Sequence, residues 1–438
     1  MKTREKAVRA ATGAAFDEHA RQRQLHRLGV FCGIAAALWL AGAEAPTKLV
    51  TVSVSPFIIS FMMVLGAFIS RWSLPALVRG TRDTFADTKY VPHLVVWGVM
   101  AGCLWAIGNT LTVFAVKDIG LSLAFPLWNS NSLIGIVWGT VLFKELHGAA
   151  WLRKLGVVGG AVAIFLGAVV ISVVSTSSAA GHADALRGIS AALGAGLMFG
   201  SMYISYRKAY ITGMNPLTFL TFFTFGEIVT AAIIAIVFLG GAGPFWHQLM
   251  ADRSILFWPL LGGFMWVIGD LFQNYATKYV GISRGIPLSN TNQLWGLLWA
   301  IFVFGELHGL TSGVYMEVIG GSALMVAGAA VIAFSSASGG EYESWKQAAQ
   351  RETERYRIDP EYVSTRMEGR ELPAARAGRS WFDWLIIAVA TLIFVALGAM
   401  AGVPHMHIQM TWLAALIGLT VVFLLAAGWA LWKVTKFS

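Results

Sequence analysis

Long apolar runs recur along this chain from about residue 28 to residue 433. Most are close to the roughly 20 residues a helix needs to cross a bilayer. They lie near 28–45, 52–72, 91–115, 119–143, 151–175, 187–206, 216–240, 255–277, 281–304, 313–335, 382–403 and 409–432. Backbone at membrane depth must satisfy its own hydrogen bonds, so runs of this length are helices. The pattern predicts an all-α polytopic membrane protein with ten to twelve spans.

The polar positions inside two of these runs are in register. Residues 117–148 read KDIGLSLAFPLWNSNSLIGIVWGTVLFKELHG, and residues 278–309 read KYVGISRGIPLSNTNQLWGLLWAIFVFGELHG. Without a gap they agree at 15 of 32 positions, including Pro126/Pro287, Asn129/Asn290, Asn131/Asn292, Glu145/Glu306 and His147/His308. Apolar composition alone does not align Pro, two Asn, Glu and His, so the segment marks a duplicated unit. Gly29, Leu38 and Lys48 also match Gly188, Leu197 and Arg207. The first run therefore belongs to the repeat, although its basic leader and the Ala41-Gly42-Ala43 end resemble a signal peptide.

Spans one to five then form one unit and six to ten the other. Five is odd, so the second unit enters the membrane inverted. Charge agrees with this. Lys2, Arg4, Lys6, Arg9, Arg21, Arg23 and Arg27 place the N-terminus in the cytoplasm. Arg71, Arg79, Arg82 and Lys89 after span two, and Lys144, Arg153 and Lys154 after span four, mark cytoplasmic loops. After span nine Lys144 is replaced by Gly305, and no Lys or Arg occurs between Arg284 and Lys346. The expected organisation is a cytoplasmic leader (1–27), repeat one (28–175), repeat two (187–336), a charged cytoplasmic linker (337–380) with a helix near Glu341–Arg357, and two additional spans (381–438). Both termini are expected in the cytoplasm and the protein in the cytoplasmic membrane.

Composition narrows the class further. The chain is 57% hydrophobic and 13% charged, with a mean hydropathy of +0.66. A soluble domain carries about 25% charged residues. The net charge of +9 reads as topology and contact with anionic lipid, since no basic stripe with interleaved aromatics suggests nucleic acid. Cys32 and Cys103 both lie in apolar runs and imply neither disulfide nor metal. His405-Met406-His407 with Met410 is a weak metal-like spacing, read as polar punctuation. No cofactor is expected, and nothing resembles an ATP-binding loop.

Polar groups inside apolar spans are costly and therefore carry a functional hypothesis. Asn129 and Asn131 follow Pro126, and Asn290, Asn292 and Gln293 follow Pro287. Amides donate and accept without charge, which suits a neutral polyhydroxylated ligand; a proline before them opens the helix. Interhelical glue is the competing reading. Spans three and eight add Trp105 with Asn109 and Trp266 with Asp270, then Gln273 and Asn274. Trp and amide or acid four residues apart share a helix face. An aromatic face beside hydroxyl-binding groups makes a carbohydrate subsite, with simple helix packing as the alternative. Asp270 and Glu227 are the deepest acids, and their first-half counterparts are Asn109 and Gly66. Either is a candidate to carry a proton, Asp270 before Glu227; packing is again the alternative. Glu44 and Lys48 read as a gate or structural pair, Glu145 and Glu306 as loop anchors.

The pattern Gly281-Ile282-Ser283…Pro287-Leu288-Ser289…Gln293-Leu294…Phe304-Gly305-Glu306 resembles the glucose/ribose porter family of the drug/metabolite transporter superfamily. Trp105-Ala106-Ile107-Gly108-Asn109 and Gly120-Leu121-Ser122 resemble the related rhamnose transporters. The likeness covers about 28–336 and is most specific at spans three, four, eight and nine. It implies ten helices in two inverted five-helix repeats, a central site and proton-coupled monosaccharide uptake. The long leader, charged linker and two last spans depart from it. The reading is a secondary transporter rather than an enzyme, with a monosaccharide, the bilayer and a second copy of the chain as candidate partners. A metabolite exporter, or a membrane sensor or enzyme that binds without translocating, are the alternatives.

Overall fold

In the computed structural model, residues 2–48, 54–176, 185–303, 311–335, 339–370, 379–402 and 409–437 are described. Every regular element among them is helical. The first half holds α1 (Lys2–Lys48), α2 (Pro56–Val78), the short α3 (Thr81–Tyr90), α4 (Leu94–Trp128), α5 (Asn131–Phe143) and α6 (Trp151–Thr176). The second holds α7 (Ala185–Ile211), α8 (Pro216–Phe238), α9 (Ala242–Ala251), α10 (Phe257–Val280), α11 (Ile282–Ser289), α12 (Asn292–Leu298) with a π-helical turn at Trp299–Val303, and α13 (Ser312–Phe334). There follow α14 (Gly339–Tyr356), α15 (Pro360–Met367), α16 (Trp381–Ala399) and α17 (Met410–Thr435).

Nine helices among the described residues are long and apolar enough to cross a bilayer. The three other apolar runs explain themselves. Span eight is α10, whose Asp270, Gln273, Asn274 and Lys278 dilute its hydropathy. Spans four and nine are broken at equivalent places. α4 stops at Trp128 and α5 restarts at Asn131, while α11 stops at Ser289 and α12 restarts at Asn292. Two features differ from the expected pattern. α4 runs unbroken through spans three and four as far as Trp128, whereas Gly281, with φ of 84°, turns the chain between α10 and α11. α2 extends past Arg71 to Val78, because Leu74, Ala76 and Leu77 prolong its apolar face.

The helix pairings of one half recur in the other. α1 runs along α10 as α7 runs along α4, and α2 crosses α10 as α8 crosses α4. α2 also meets α8, and α6 meets α13. Glycines set the crossings. A Cβ on Gly66 would stand 2.0 Å from the Leu260 carbonyl oxygen, and one on Gly226 would stand 1.9 Å from that of Val99. From the other side, a Cβ on Gly263 would stand 1.8 Å from the Met63 oxygen and one on Gly102 2.0 Å from the Phe223 oxygen. Only hydrogen fits at these points, so the backbones approach as closely as small-residue membrane packing allows. This register pairs Gly66 with Gly226, so Glu227 stands at the place of Ala67 rather than of Gly66.

Residues 339–370, within the stretch expected as a linker, are folded onto one end of the bundle. Trp345 is buried beneath the Arg207 guanidinium, 4.3 Å from its ring, and Lys208 pairs with Glu352. Arg366 forms a buried ion pair with Asp87, and Tyr362 stacks on Tyr90 at 4.7 Å. Arg21 of α1 donates to the carbonyl oxygens of Glu368, Gly369 and Val434. Thus α14 and α15 cap the helix ends. α16 lies against α2 and α17 against α1.

Candidate functional site

Trp105 and Trp266, equivalent positions of the two halves, meet at the centre of the molecule. Their ring centroids are 4.8 Å apart with planes inclined at 48°. Beside them lies a residue that sequence reading assigned to a cytoplasmic loop. Arg71 is 1% exposed, its guanidinium 3.8 Å above the Phe223 ring and 5.9 Å from each tryptophan. The loop assignment of Arg71 is therefore corrected: the extension of α2 carries it into the core.

Arg71 joins the two acids. Its Nη2 donates to Asp270 Oδ2 at 3.0 Å, and its Nε lies 3.6 Å from Glu227 Oε1. Asp270 is fully engaged. Its Oδ1 accepts from Tyr206 Oη and from Asn274 Nδ2, each at 3.0 Å. Asn274 also donates to the Asp270 carbonyl oxygen at 2.7 Å and accepts from Tyr210 Oη. Gln273 Nε2 donates to Tyr203 Oη at 3.2 Å. Glu227 differs: both carboxylate oxygens are buried without a hydrogen-bond donor among the described residues, leaving the Arg71 contact. Arg71 sets one cation against two buried carboxylates, and its removal would leave both acids uncompensated.

The cluster straddles the two helix groups. Arg71, Trp266 and Asp270 come from α2 and α10, while Trp105, Tyr206, Phe223 and Glu227 come from α4, α7 and α8. Arg71 with Glu227, Tyr206 with Asp270, Tyr210 with Asn274 and Gln273 with Tyr203 bridge them. In the first half, Asn109 makes a neutral counterpart, donating to Ser60 Oγ at 2.9 Å, and Ser60 is 3.0 Å from Thr110 Oγ1.

The amides form a second locus. Asn290 Nδ2 donates to Asn131 Oδ1 at 2.7 Å and to the Asn129 carbonyl oxygen at 3.3 Å. Each broken span thus touches its repeat mate at its own break. Asn129 Nδ2, Asn292 Oδ1 and Gln293 Nε2 are buried without a partner among the described residues. Pairing and ligand capacity therefore coexist at this locus.

Glu145 lies at the end of the bundle, buried. It pairs with Arg207 at 2.9 Å and accepts from the Ile282 and Ser283 amides at 3.1 and 2.9 Å, fastening one half to the other. Glu306, His308, His405 and His407, and the side chains of Pro126, Glu44 and Lys48, lie outside what is described. Sequence reading missed Arg71, Phe223 and the tyrosines. The tyrosines did leave a signal, since Tyr203, Tyr206 and Tyr210 follow helical spacing and share a face of α7.

A family model described as sugar transport protein matches residues 192–352. The glucose uptake protein GlcU of Staphylococcus xylosus is 24% identical over 233 residues, covering 52% of this chain and 76% of its own. A probable GlcU of Staphylococcus epidermidis is 26% identical with the same coverage. A putative sugar uptake protein of Listeria innocua is 23% identical over 251 residues, covering 57% and 82%. The chain is similar to the sugar-transport proteins. Its many apolar helices fit a multi-pass membrane protein.

Proposed function

We propose that this protein takes up a monosaccharide across the cytoplasmic membrane by alternating access, coupled to protons and without enzymatic chemistry. The observation that carries the proposal is the pair Trp105 and Trp266, one from each half, in contact beside a buried ion cluster that bridges the two helix groups. Aromatic faces suit the C–H surface of a sugar ring, and Asn109, Gln273 and Asn274 stand near enough in sequence to serve its hydroxyls. The amide locus of Asn129, Asn131, Asn290, Asn292 and Gln293 is the second part of the site.

Coupling follows from the bridging contacts. Arg71 holds Asp270 and Glu227 together across the boundary, so a proton on one carboxylate weakens the tie between the groups. What supports Glu227 over Asp270 as the proton carrier is its lack of donors. Asp270 keeps Arg71, Tyr206 and Asn274 as partners, and neutralising it undoes three interactions. The two halves lie inverted in the membrane with both termini inside, a reading supported by the basic segments and the exchanged pairings. Cysteines at Gly148 and Gly309 labelling from opposite faces test that orientation.

The function is tested with purified protein in liposomes. Uptake of a labelled monosaccharide panel is measured with and without an imposed pH gradient. Saturable uptake of at least one sugar, enhanced by an inward proton gradient, is expected. No uptake of any sugar overturns the assignment.

A further inference from the structure

A cleft of about 250 Å³ opens between α14 and the bundle, away from the tryptophan pair. The end of α5 contributes Lys144, the following turn His147, the end of α7 Lys208, and α14 contributes Arg351 and Glu352. Three permanent cations and an imidazole thus converge from three elements on one space. Glu352 is the one carboxylate among the described lining residues, and Lys208 already holds it.

The backbone adds an independent observation. Lys144 closes α5 in the left-handed conformation, with φ of 53° and ψ of 33°. That position favours glycine, because a Cβ is strained there. Glycine is what the second repeat carries at the equivalent place, Gly305, which lies outside the described residues. The first repeat instead keeps a lysine at a backbone cost, and that lysine lines the cleft. Strain retained where a smaller residue would relieve it marks a site with a task.

We propose that this cleft binds a phosphate-bearing anion on the side of the membrane where α14 caps the helix ends. Two lysines act as point charges and Arg351 as a planar fork, the combination that recognises phosphate oxygens. The space accommodates inorganic phosphate or a small phosphate ester. A bound anion touches both α14 and the bundle, so it fastens the cap alongside the Lys208–Glu352 pair.

The test uses the full chain in detergent. Inorganic phosphate and a hexose monophosphate are titrated calorimetrically against chloride at matched ionic strength. Saturable binding with one site per chain is expected. Lys144→Gly removes the charge while relieving the backbone, so it should weaken binding about ten-fold or more, the loss of one charge-assisted contact, with melting temperature unchanged or raised. Arg351→Gln should weaken binding likewise. Repetition in nanodiscs with phosphatidylglycerol or phosphatidylcholine separates the sources. Displacement by phosphatidylglycerol assigns the site to lipid phosphate, and indifference to it assigns the site to a soluble ester. No saturable binding beyond chloride, or unchanged affinity in Lys144→Gly, overturns the proposal.

Discussion

At one position of the first half, Asn109 donates to Ser60 within a small neutral network. At the same position of the second half, Asp270 meets Arg71, Tyr206 and Asn274. Part of the surroundings recurs. Each half places a Trp four residues earlier on the helix, and each crosses its neighbour at a glycine pressed against a carbonyl. Duplication supplies a symmetric scaffold whose two groups of helices have matching contacts. The charges break that symmetry, because Arg71 aligns with Ala231 and Glu227 with Ala67. A scaffold able to rock needs equal halves, whereas a coupling device needs one ionisable centre. In the proposed mechanism both requirements are served by changing a few side chains inside a repeated frame.

The largest effect should come from removing ionisation. Glu227→Gln should abolish accumulation of sugar against its gradient while preserving binding and exchange. Asp270→Asn, which makes the second half like the first, should cut accumulation as well and also weaken expression, because Arg71 then loses its closest partner. Counterflow and pH-driven uptake separate these outcomes. A Glu227→Gln protein that still concentrates sugar, beside an Asp270→Asn protein that does not, would return the proton to Asp270.

Next is Arg71 itself. Arg71→Met leaves two buried acids without a cation and should cost about 3–5 kcal/mol of stability. The readout is thermal unfolding in detergent. Partial recovery in Arg71→Met combined with Asp270→Asn is expected, and an unaltered single variant would mean that the cluster does not bear charge.

The glycine crossings should give smaller, paired effects. Gly66→Ala and Gly226→Ala each force a methyl into a facing carbonyl, a strain of about 1–3 kcal/mol. Similar losses of folded yield are expected from both. A loss confined to one half would break the symmetric part of the comparison.

Smallest are the amides. Asn131→Ala or Asn290→Ala removes an amide that the proposed site offers to the sugar, and losing one such hydrogen bond, about 0.5–1.5 kcal/mol, should lower sugar affinity roughly three- to ten-fold. Unchanged affinity with lowered stability would make them packing residues alone.

Much of the frame was legible in the chain. Register of Pro, Asn, Glu and His across 161 positions disclosed the duplication, and apolar run length disclosed the helices. The breaks at Asn129–Ser130 and Asn290–Thr291 followed from proline near clustered amides. Arg71 was misplaced for a physical reason. A cation at the end of an apolar run looks like a topology signal, and only the continued Leu74, Ala76 and Leu77 face shows that α2 goes on. Its partnership with Glu227 and Asp270 joins α2 to α8 and α10 across the fold, and no local pattern reports such a contact. The folding of 339–370 onto the helix ends was equally hidden. Its balanced charges look solvated until Arg366 finds Asp87 and Trp345 finds Arg207.

The central claim is that one ionisable cluster, whose two acids come from one half only, ties proton movement to sugar movement. Its most direct test is proton flux in vesicles holding the purified protein, followed with a pH-sensitive dye as transported sugar is added without any imposed gradient. The expected result is proton entry that starts with sugar entry, and its loss in Glu227→Gln while sugar exchange continues. Sugar entry with no accompanying proton, or proton entry undiminished when both Glu227 and Asp270 are made amides, would contradict the account.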